Sequence, residues 1–345
     1  MPKEGFTSIT LSEGLSNKVS EFVEKSGGMY SSAPKALQSA WNMFEQRNLE
    51  FNNPKLVRIS DKLVGPGQPV FVTAEIGINH NGDMEIVKKM IDAAAEIGCD
   101  AVKFQKRTLD VVFTDEFMNG PRNTPWGNTN RDERERLEFG DAEYREIDNY
   151  CKEKEIMWFA SPWDEASVDF LERYNTPCYK IASASLTDKN LLYKIKETGK
   201  PVMVATGMCT MEQIVAAMEI LGEENVILMH CTSTYPSKDE ELDINVIKTF
   251  NKYFNCPIGF SCHAPGVWPV MVAVASGACI VEKHITLGRY MFGWDHAASI
   301  EIPQLRTMTR AAKRIPTMLG SYDKKVHELE KPIIKDLRRV DTLLD

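Results

Sequence analysis

From residue 70 onward, eight short apolar runs alternate with amphipathic segments, and this alternation restricts the fold more than anything else in the chain. The runs are residues 70–76, 101–105, 156–160, 178–181, 201–205, 226–231, 257–260 and 279–283. Each is apolar nearly throughout and rich in Val, Ile and Phe, which suits parallel strands buried on both faces. The segments between them carry helical periodicity. Residues 83–98 place Ile86, Met90, Ala93, Ala94 and Ile97 on one face and Lys88 and Lys89 opposite, with Asn81-Gly82-Asp83 as a start signal and Gly98 as a stop. Residues 211–222 repeat the plan with Ile214, Ala217, Met218 and Leu221 inward. Eight buried strands alternating with helices predict a (β/α)8 TIM barrel. An open doubly wound sheet is the rival. It would carry a glycine-rich nucleotide loop after its first strand, and Ile76-Gly-Ile-Asn-His-Asn-Gly82 is not GxGxxG.

Residues outside the runs set the organisation. Residues 12–25 and 33–44 read as two amphipathic helices without a core of their own, so 1–55 forms an N-terminal helical extension and 56–345 the catalytic domain. Residues 56–64 and 68–71, joined by Gly65-Pro66-Gly67, predict a hairpin over the barrel floor. The connection 106–140 is too long for a plain loop and predicts a lid or specificity wall at the strand C-termini.

Composition excludes several classes. The 345 residues carry 41 Lys+Arg against 49 Asp+Glu, a net charge of −8. Nucleic-acid binding needs clustered cations and is not expected. No run approaches the ~18 apolar residues of a membrane span. The start, MPKEGF, lacks a secretory signal pattern, and the eight cysteines form no CxxC pair, so they read as reduced core thiols of a cytoplasmic protein.

Active sites of such barrels collect where the strands end. The polar residues there are Glu75, Asn79, His80, Lys103, Gln105, Ser161, Lys180, Ser183, Thr206, His230, Thr232, Ser233, Tyr235, Ser261, His263, Glu282, Lys283 and His284, followed by Asp295 and His296. Lys103 and Lys180 end buried strands. They either pair with a glutamate inside the barrel or grip an anionic substrate. Hydroxyls recur at five strand ends; one alone is more often a helix cap, but five with two lysines make a phosphate and carboxylate cradle. His263 and His284 close neighbouring strands and could meet a divalent metal, with His230 as a weaker third ligand. Cys262 should face away from His263 by strand alternation.

Taken in order, VTAEIGINHNG (72–82), AVKFQ (101–105), ASPW (160–163), YKIAS (179–183), ATGM (205–208), HCTSTYP (230–236), IGFSCH (258–263), VEKHIT (281–286), WDHAASIE (294–301) and EKPIIKDLRRVDTLL (330–344) resemble the sialic acid (N-acetylneuraminate) synthase, NeuB-like family across the whole predicted barrel. The resemblance implies condensation of phosphoenolpyruvate with an N-acetylated aldose, N-acetylmannosamine first, to give a nonulosonic acid and phosphate. It implies a divalent metal, usually Mn²⁺, with Mg²⁺ or Co²⁺ as substitutes, on His263 and His284. Its phosphoenolpyruvate cradle matches Lys103, Ser161, Lys180, Ser183, Thr206, Ser233 and Ser261. Its sugar-side residues match Gln105, Tyr235 and Asp295, and Glu75 or Asp295 fits the general base. It also implies a homodimer. A pseudaminic or legionaminic acid synthase using a diacetamido hexose, a 3-deoxy-octulosonate-phosphate type synthase, which would need extra basic groups where only Arg107 and Arg122 are nearby, and a non-catalytic binding protein on the same barrel are the alternatives.

Two departures stand out. Ser185 occupies the place where the family usually has a sugar-binding carboxylate. The match also ends on the linker-like stretch before the antifreeze-like domain of typical members, so that domain is not expected within this chain.

Overall fold

The computed structural model describes residues 56–340. The predicted helices at 12–25 and 33–44, and the extension they form, lie outside the described residues.

The chain begins with a hairpin, β1 (Val57–Ile59) and β2 (Lys62–Val64), paired antiparallel. It turns at Ser60-Asp61, with Ser60 at φ 53°, and not at Gly65-Pro66-Gly67. The predicted register is therefore corrected. Val57 pairs with Val64 across the two-residue turn, whereas the Gly-Pro-Gly stretch bends the chain into the barrel. The hairpin still covers the floor, because Val57, Ile59 and Val64 pack with Phe71, Phe159, Met203, Ile227, Met229 and Ile280 inside the barrel's lower end.

The barrel proper comprises β3 (Phe71–Gly77), α1 (Met84–Ile97), β4 (Ala101–Lys106), a long insertion, α5 (Asp141–Glu153), β7 (Met157–Pro162), α6 (Glu165–Glu172), β8 (Tyr179–Ile181), α7 (Lys189–Glu197), β9 (Val202–Ala205), α8 (Met211–Leu221), β10 (Val226–Cys231), α9 (Val246–Tyr253), β11 (Ile258–Cys262), α10 (Trp268–Ala275), β12 (Ile280–Thr286) and α11 (Ile302–Leu319). The insertion holds α2 (Leu109–Val112), α3 (Asp115–Met118), the hairpin β5 (Pro121–Thr124)/β6 (Gly127–Thr129) and α4 (Asn130–Leu137). A short β13 (Ile300–Glu301) pairs with β12, and α12 (Glu330–Leu337) follows α11. The eight central strands run parallel in the order β3-β4-β7-β8-β9-β10-β11-β12, and β12 pairs back to β3. This closed (β/α)8 barrel is the predicted fold, and the predicted runs are its eight strands within one to three residues at each end.

Local chemistry explains the elements. Asp83 caps α1 by accepting from the Glu85 amide, and Gly98 ends the helix at φ 83°. The buried face of α1 is Val87, Met90, Ile91 and Ala94; Met90 and Ala94 were predicted, whereas Ile86, Ala93 and Ile97 are half-buried beside Val87 and Ile91. In α8 the buried residues Ile214, Ala217, Met218 and Leu221 are those predicted. All eight cysteines are free. Among the described residues, no helix is long and apolar enough to cross a membrane.

Candidate functional site

Alternation along the strands builds the site. In β12, Glu282 and His284 face the barrel axis. Lys283 points outward, where its Nζ donates to the carbonyls of Cys262, Ala264 and Ala298. The end of β11 repeats this, with Ser261 and His263 inward and Cys262 in the layer between barrel and helices. β3 supplies Glu75, β4 supplies Lys103 and Gln105, β7 supplies Ser161 and β8 supplies Lys180. The register places Glu75 opposite both Lys103 and His284.

These residues line one cavity of about 190 Å³, together with Trp163, Ser183, Met208, Cys231, Ser233 and Tyr235. Of the residues singled out from the sequence, the structure brings together Glu75, Lys103, Gln105, Ser161, Lys180, Ser183, Ser233, Tyr235, Ser261, His263 and His284. Thr206 is not in the lining, and its hydroxyl donates to the Met229 carbonyl at 3.0 Å. Asp295 borders the cavity, with its carboxylate 3.7 Å from His284 Nδ1. His230 is turned away, its Nε2 bonded to the Leu242 carbonyl at 2.7 Å and its ring packed on Phe250 and Phe260. This corrects its reading as a third metal ligand. Ser185 is buried and also absent from the lining, which Ala182 and Ala184 occupy instead.

A buried ion network forms the base of the cavity. Lys103 Nζ lies 3.0 Å from Glu75 and 3.5 Å from Glu282, and Lys180 Nζ lies 3.6 Å from the same Glu282 oxygen. Lys103 also donates to Ser161 at 3.2 Å, Ser261 to Glu282 at 3.1 Å, and Gln105 to Glu75 at 2.9 Å. Each lysine is therefore paired with glutamate, and each also lines the cavity. Sequence reasoning placed Glu282 at a strand end but gave it no role. The signal was its spacing of two from His284, which puts both on one face.

Burial dominates the site's acid–base behaviour. Glu75 is pushed up to about 7 by burial, with Lys103 opposing and Glu282 reinforcing. Burial acts the same way on Glu282, yet Lys103 and Lys180 together hold it below the usual carboxylate range. Lys180 is lowered by burial, partly offset by Glu282. His284 is held well below its ordinary value by burial, then by His263 and the lysines, so its ring is neutral near pH 7. The Glu75 Oε2, Glu282 Oε2 and His284 Nδ1 atoms are buried without hydrogen-bond partners.

The donor set suits a divalent cation held by two histidines. The rings of His263 and His284 are 5.4 Å apart. His263 Nδ1 donates to the Thr232 carbonyl at 2.7 Å, the arrangement that fixes a histidine tautomer and frees Nε2 for ligation. Among the described residues, no group of three or more His, Cys, Asp or Glu forms a complete metal cage, so further positions would fall to water or substrate oxygens.

The hydroxyl wall depends on one glycine. A Cβ on Gly207 would sit 2.1 Å from Ser233 Oγ and 2.9 Å from Ser183 Oγ, and the Gly207 amide donates to Ser183 at 3.0 Å. The insertion after β4 is pinned to the loop after β12 by Trp294 Nε1 donating to Glu133 at 3.1 Å and by the Trp126–Phe292 ring contact.

The NeuB family model matches residues 90–324. The human N-acetylneuraminate-9-phosphate synthase is 36% identical over 268 residues, 76% of this chain and 75% of that protein. The N,N'-diacetyllegionaminic acid synthase of Legionella pneumophila is 30% identical over 289 residues, 81% of each. Among solved structures, the sialic acid synthetase of Leptospira borgpetersenii superposes with a TM-score of 0.74 at 29% identity, covering 83% of this chain and 99% of that one. The barrel, its motifs in order and these matches agree: the chain belongs to the NeuB family.

Proposed function

We propose that this enzyme condenses phosphoenolpyruvate with the aldehyde of an N-acetylated hexose, N-acetylmannosamine as first choice, to form a nonulosonic acid and release phosphate. One observation carries the reading: two buried lysines and four serine hydroxyls converge on one cavity that also holds two histidines and a glutamate titrating near 7. Lys103 and Lys180 offset the carboxylate and phosphate charges, and Ser161, Ser183, Ser233 and Ser261 hydrogen-bond their oxygens. His263 and His284 would hold the divalent cation, Mn²⁺ first. When bound it supplies Lewis acidity toward a carbonyl oxygen. Gln105, Tyr235 and Asp295 orient the sugar chain.

In the reaction, C3 of phosphoenolpyruvate forms a bond to the aldehyde carbon, whose oxygen takes a proton and becomes a hydroxyl. Water adds to C2 of the former phosphoenolpyruvate, with Glu75 or Asp295 accepting its proton. The C2–O bond to phosphate then breaks, leaving the 2-keto acid. A diacetamido hexose is the second reading for the acceptor, supported by the uncharged wall at Ala182 and Ala184, where a carboxylate grip on sugar hydroxyls is absent.

The test is phosphate release from phosphoenolpyruvate with Mn²⁺ and a panel of N-acetyl and diacetamido hexoses, with products read by mass spectrometry. We expect release with at least one sugar, and roughly 10²–10³-fold slower turnover for His263→Ala with the fold intact by circular dichroism. No release with any aldose, or full activity of His263→Ala in chelator, would overturn the reading. The homodimer belongs to the same proposal and is tested by sedimentation of the full chain.

A further inference from the structure

The turn after β9 keeps a methionine where its geometry calls for glycine. The Cys209 amide donates to the Thr206 carbonyl at 3.3 Å, which closes a β-turn over Thr206–Cys209. Met208 is the third residue of that turn and sits at φ 62°. A left-handed third position is glycine's usual place, because a Cβ there crowds the backbone. Among the described residues, the other non-glycine residues at positive φ are Ser60, Asn81, Glu155, Asn175 and Asp243, none of them apolar. The turn is fixed from both sides. Thr206 donates through its amide and its hydroxyl to the Met229 carbonyl, at 3.1 and 3.0 Å. The Gly207 amide donates to Ser183 Oγ at 3.0 Å, and the Cys209 thiol donates to the Gly207 carbonyl at 3.2 Å. These bonds hold Met208 in its strained conformation without using its side chain.

Packing within the protein does not account for that side chain either. Met208 is 68% exposed, whereas Lys103 and Lys180 in the same cavity are 3% and 2% exposed. It therefore stands at the rim, in a lining that it shares there with half-buried Ala182 and exposed Ala184 and Tyr235. A side chain that costs backbone strain and buries little against its own chain makes its contact with what enters the cavity.

The chemistry of the rim selects that contact. Met208, Ala182 and Ala184 offer a thioether and methyl groups and carry no charge. The carboxylate and phosphate of phosphoenolpyruvate belong with the lysines at the base. Of the two substrates, only the hexose carries a methyl, at the end of the acyl group beside its aldehyde. We propose that Met208 is a specificity-determining residue for this N-acyl group. Its thioether covers the methyl by dispersion contact, and the small side chains of Ala182 and Ala184 leave room for it. Because methionine is unbranched and turns about three side-chain bonds, it can also make way for an acyl chain one carbon longer. This rests on the condensation proposed above and names the residue that reads the acyl group of its second substrate.

The experiment compares the full chain with Met208→Gly, which suits the turn and removes only the side chain. Initial rates with phosphoenolpyruvate and Mn²⁺ are measured for N-acetylmannosamine, N-propanoylmannosamine and mannose, and calorimetric titration of the same sugars reads binding apart from turnover. We expect the natural protein to use both acylated sugars ahead of mannose. In Met208→Gly the KM for each acylated sugar should rise roughly fivefold, as for the loss of one or two methyl-sized contacts, while the KM for phosphoenolpyruvate moves far less. Met208→Leu should recover part of the loss, and a thermal melt should show Met208→Gly folded. An acylated-sugar KM that Met208→Gly leaves in place, or a rise of the same size for mannose and phosphoenolpyruvate, would overturn the assignment. Turnover of the acylated sugars that ignores Met208→Gly keeps the condensation and removes the contact. Binding of the acylated sugars that depends on Met208, without turnover, keeps the contact and removes the condensation. Neither binding nor turnover removes both.

Discussion

Lys103 is the residue on which the base of the site turns. It is almost fully buried, and it stands between Glu75 and Glu282. Two carboxylates facing one another in a dry barrel are tolerable only with that cation between them. Lys103→Met should therefore cost about 3–5 kcal/mol of stability. Glu75→Gln added to it should recover part of the loss, because one of the two stranded charges is gone. Urea unfolding of the single and double variants checks this, and equal losses in both would show that the pair is not coupled. The two lysines were visible in the sequence because a charged residue at the end of an apolar strand is costly without a purpose. Their common partner Glu282 was harder to assign, since sequence alone does not say which strands face each other across the axis. Thr206 went the other way. Its strand-end position suggested a ligand, but its hydroxyl and its amide both donate to the Met229 carbonyl of the neighbouring strand.

At the scale of elements, the turn after β9 matters most. Gly207 lets the hydroxyls of Ser183 and Ser233 approach each other from the ends of β8 and β10. Gly207→Ala would push them apart, because the new methyl meets Ser233 Oγ at 2.1 Å. We expect the KM for phosphoenolpyruvate to rise roughly tenfold, equivalent to the loss of about one charge-assisted bond, with little change in melting temperature. Steady-state kinetics and a thermal melt separate the two effects. The strands themselves were legible because runs buried on both faces are apolar apart from a few polar residues, most of them near the strand ends. The floor hairpin was legible in position but not in register. Gly65-Pro66-Gly67 is the louder turn signal, yet the pairing of Val57 with Val64 seats three apolar side chains on the floor, and packing decided the outcome. The stripe of α1 was read in part, Met90 and Ala94 correctly and Val87 and Ile91 not, since the barrel surface selects among several apolar faces of one helix.

Over the whole molecule, buried neutral histidines set the response to acid. His80, stacked on Phe139 at 4.0 Å, is lowered to about 3, mainly by burial, and His296 to about 4 for the same reason. Both would titrate near 6.5 when unfolded. As pH falls below 6.5 the unfolded chain takes up protons that the folded chain refuses, so stability falls with it. Each histidine contributes a loss of up to about 1.4 kcal/mol per pH unit until its folded value is reached. Thermal melts from pH 7 to pH 4.5 should show the decline, and His80→Asn, which keeps an acceptor for the Gly82 amide, should flatten it. An unchanged slope would remove His80 from this account.

The hairpin at the lower end has a kinetic consequence. Val57, Ile59 and Val64 close the barrel at the floor, so the cavity is a blind well open at the strand C-termini. Lys103 and Lys180 lie at the base of that well and Trp163, Met208 and Tyr235 nearer its rim. For the condensation proposed above, the predicted order is that the small molecule at the base arrives before the larger one that closes over it, and that phosphate waits there until the sugar acid has moved aside.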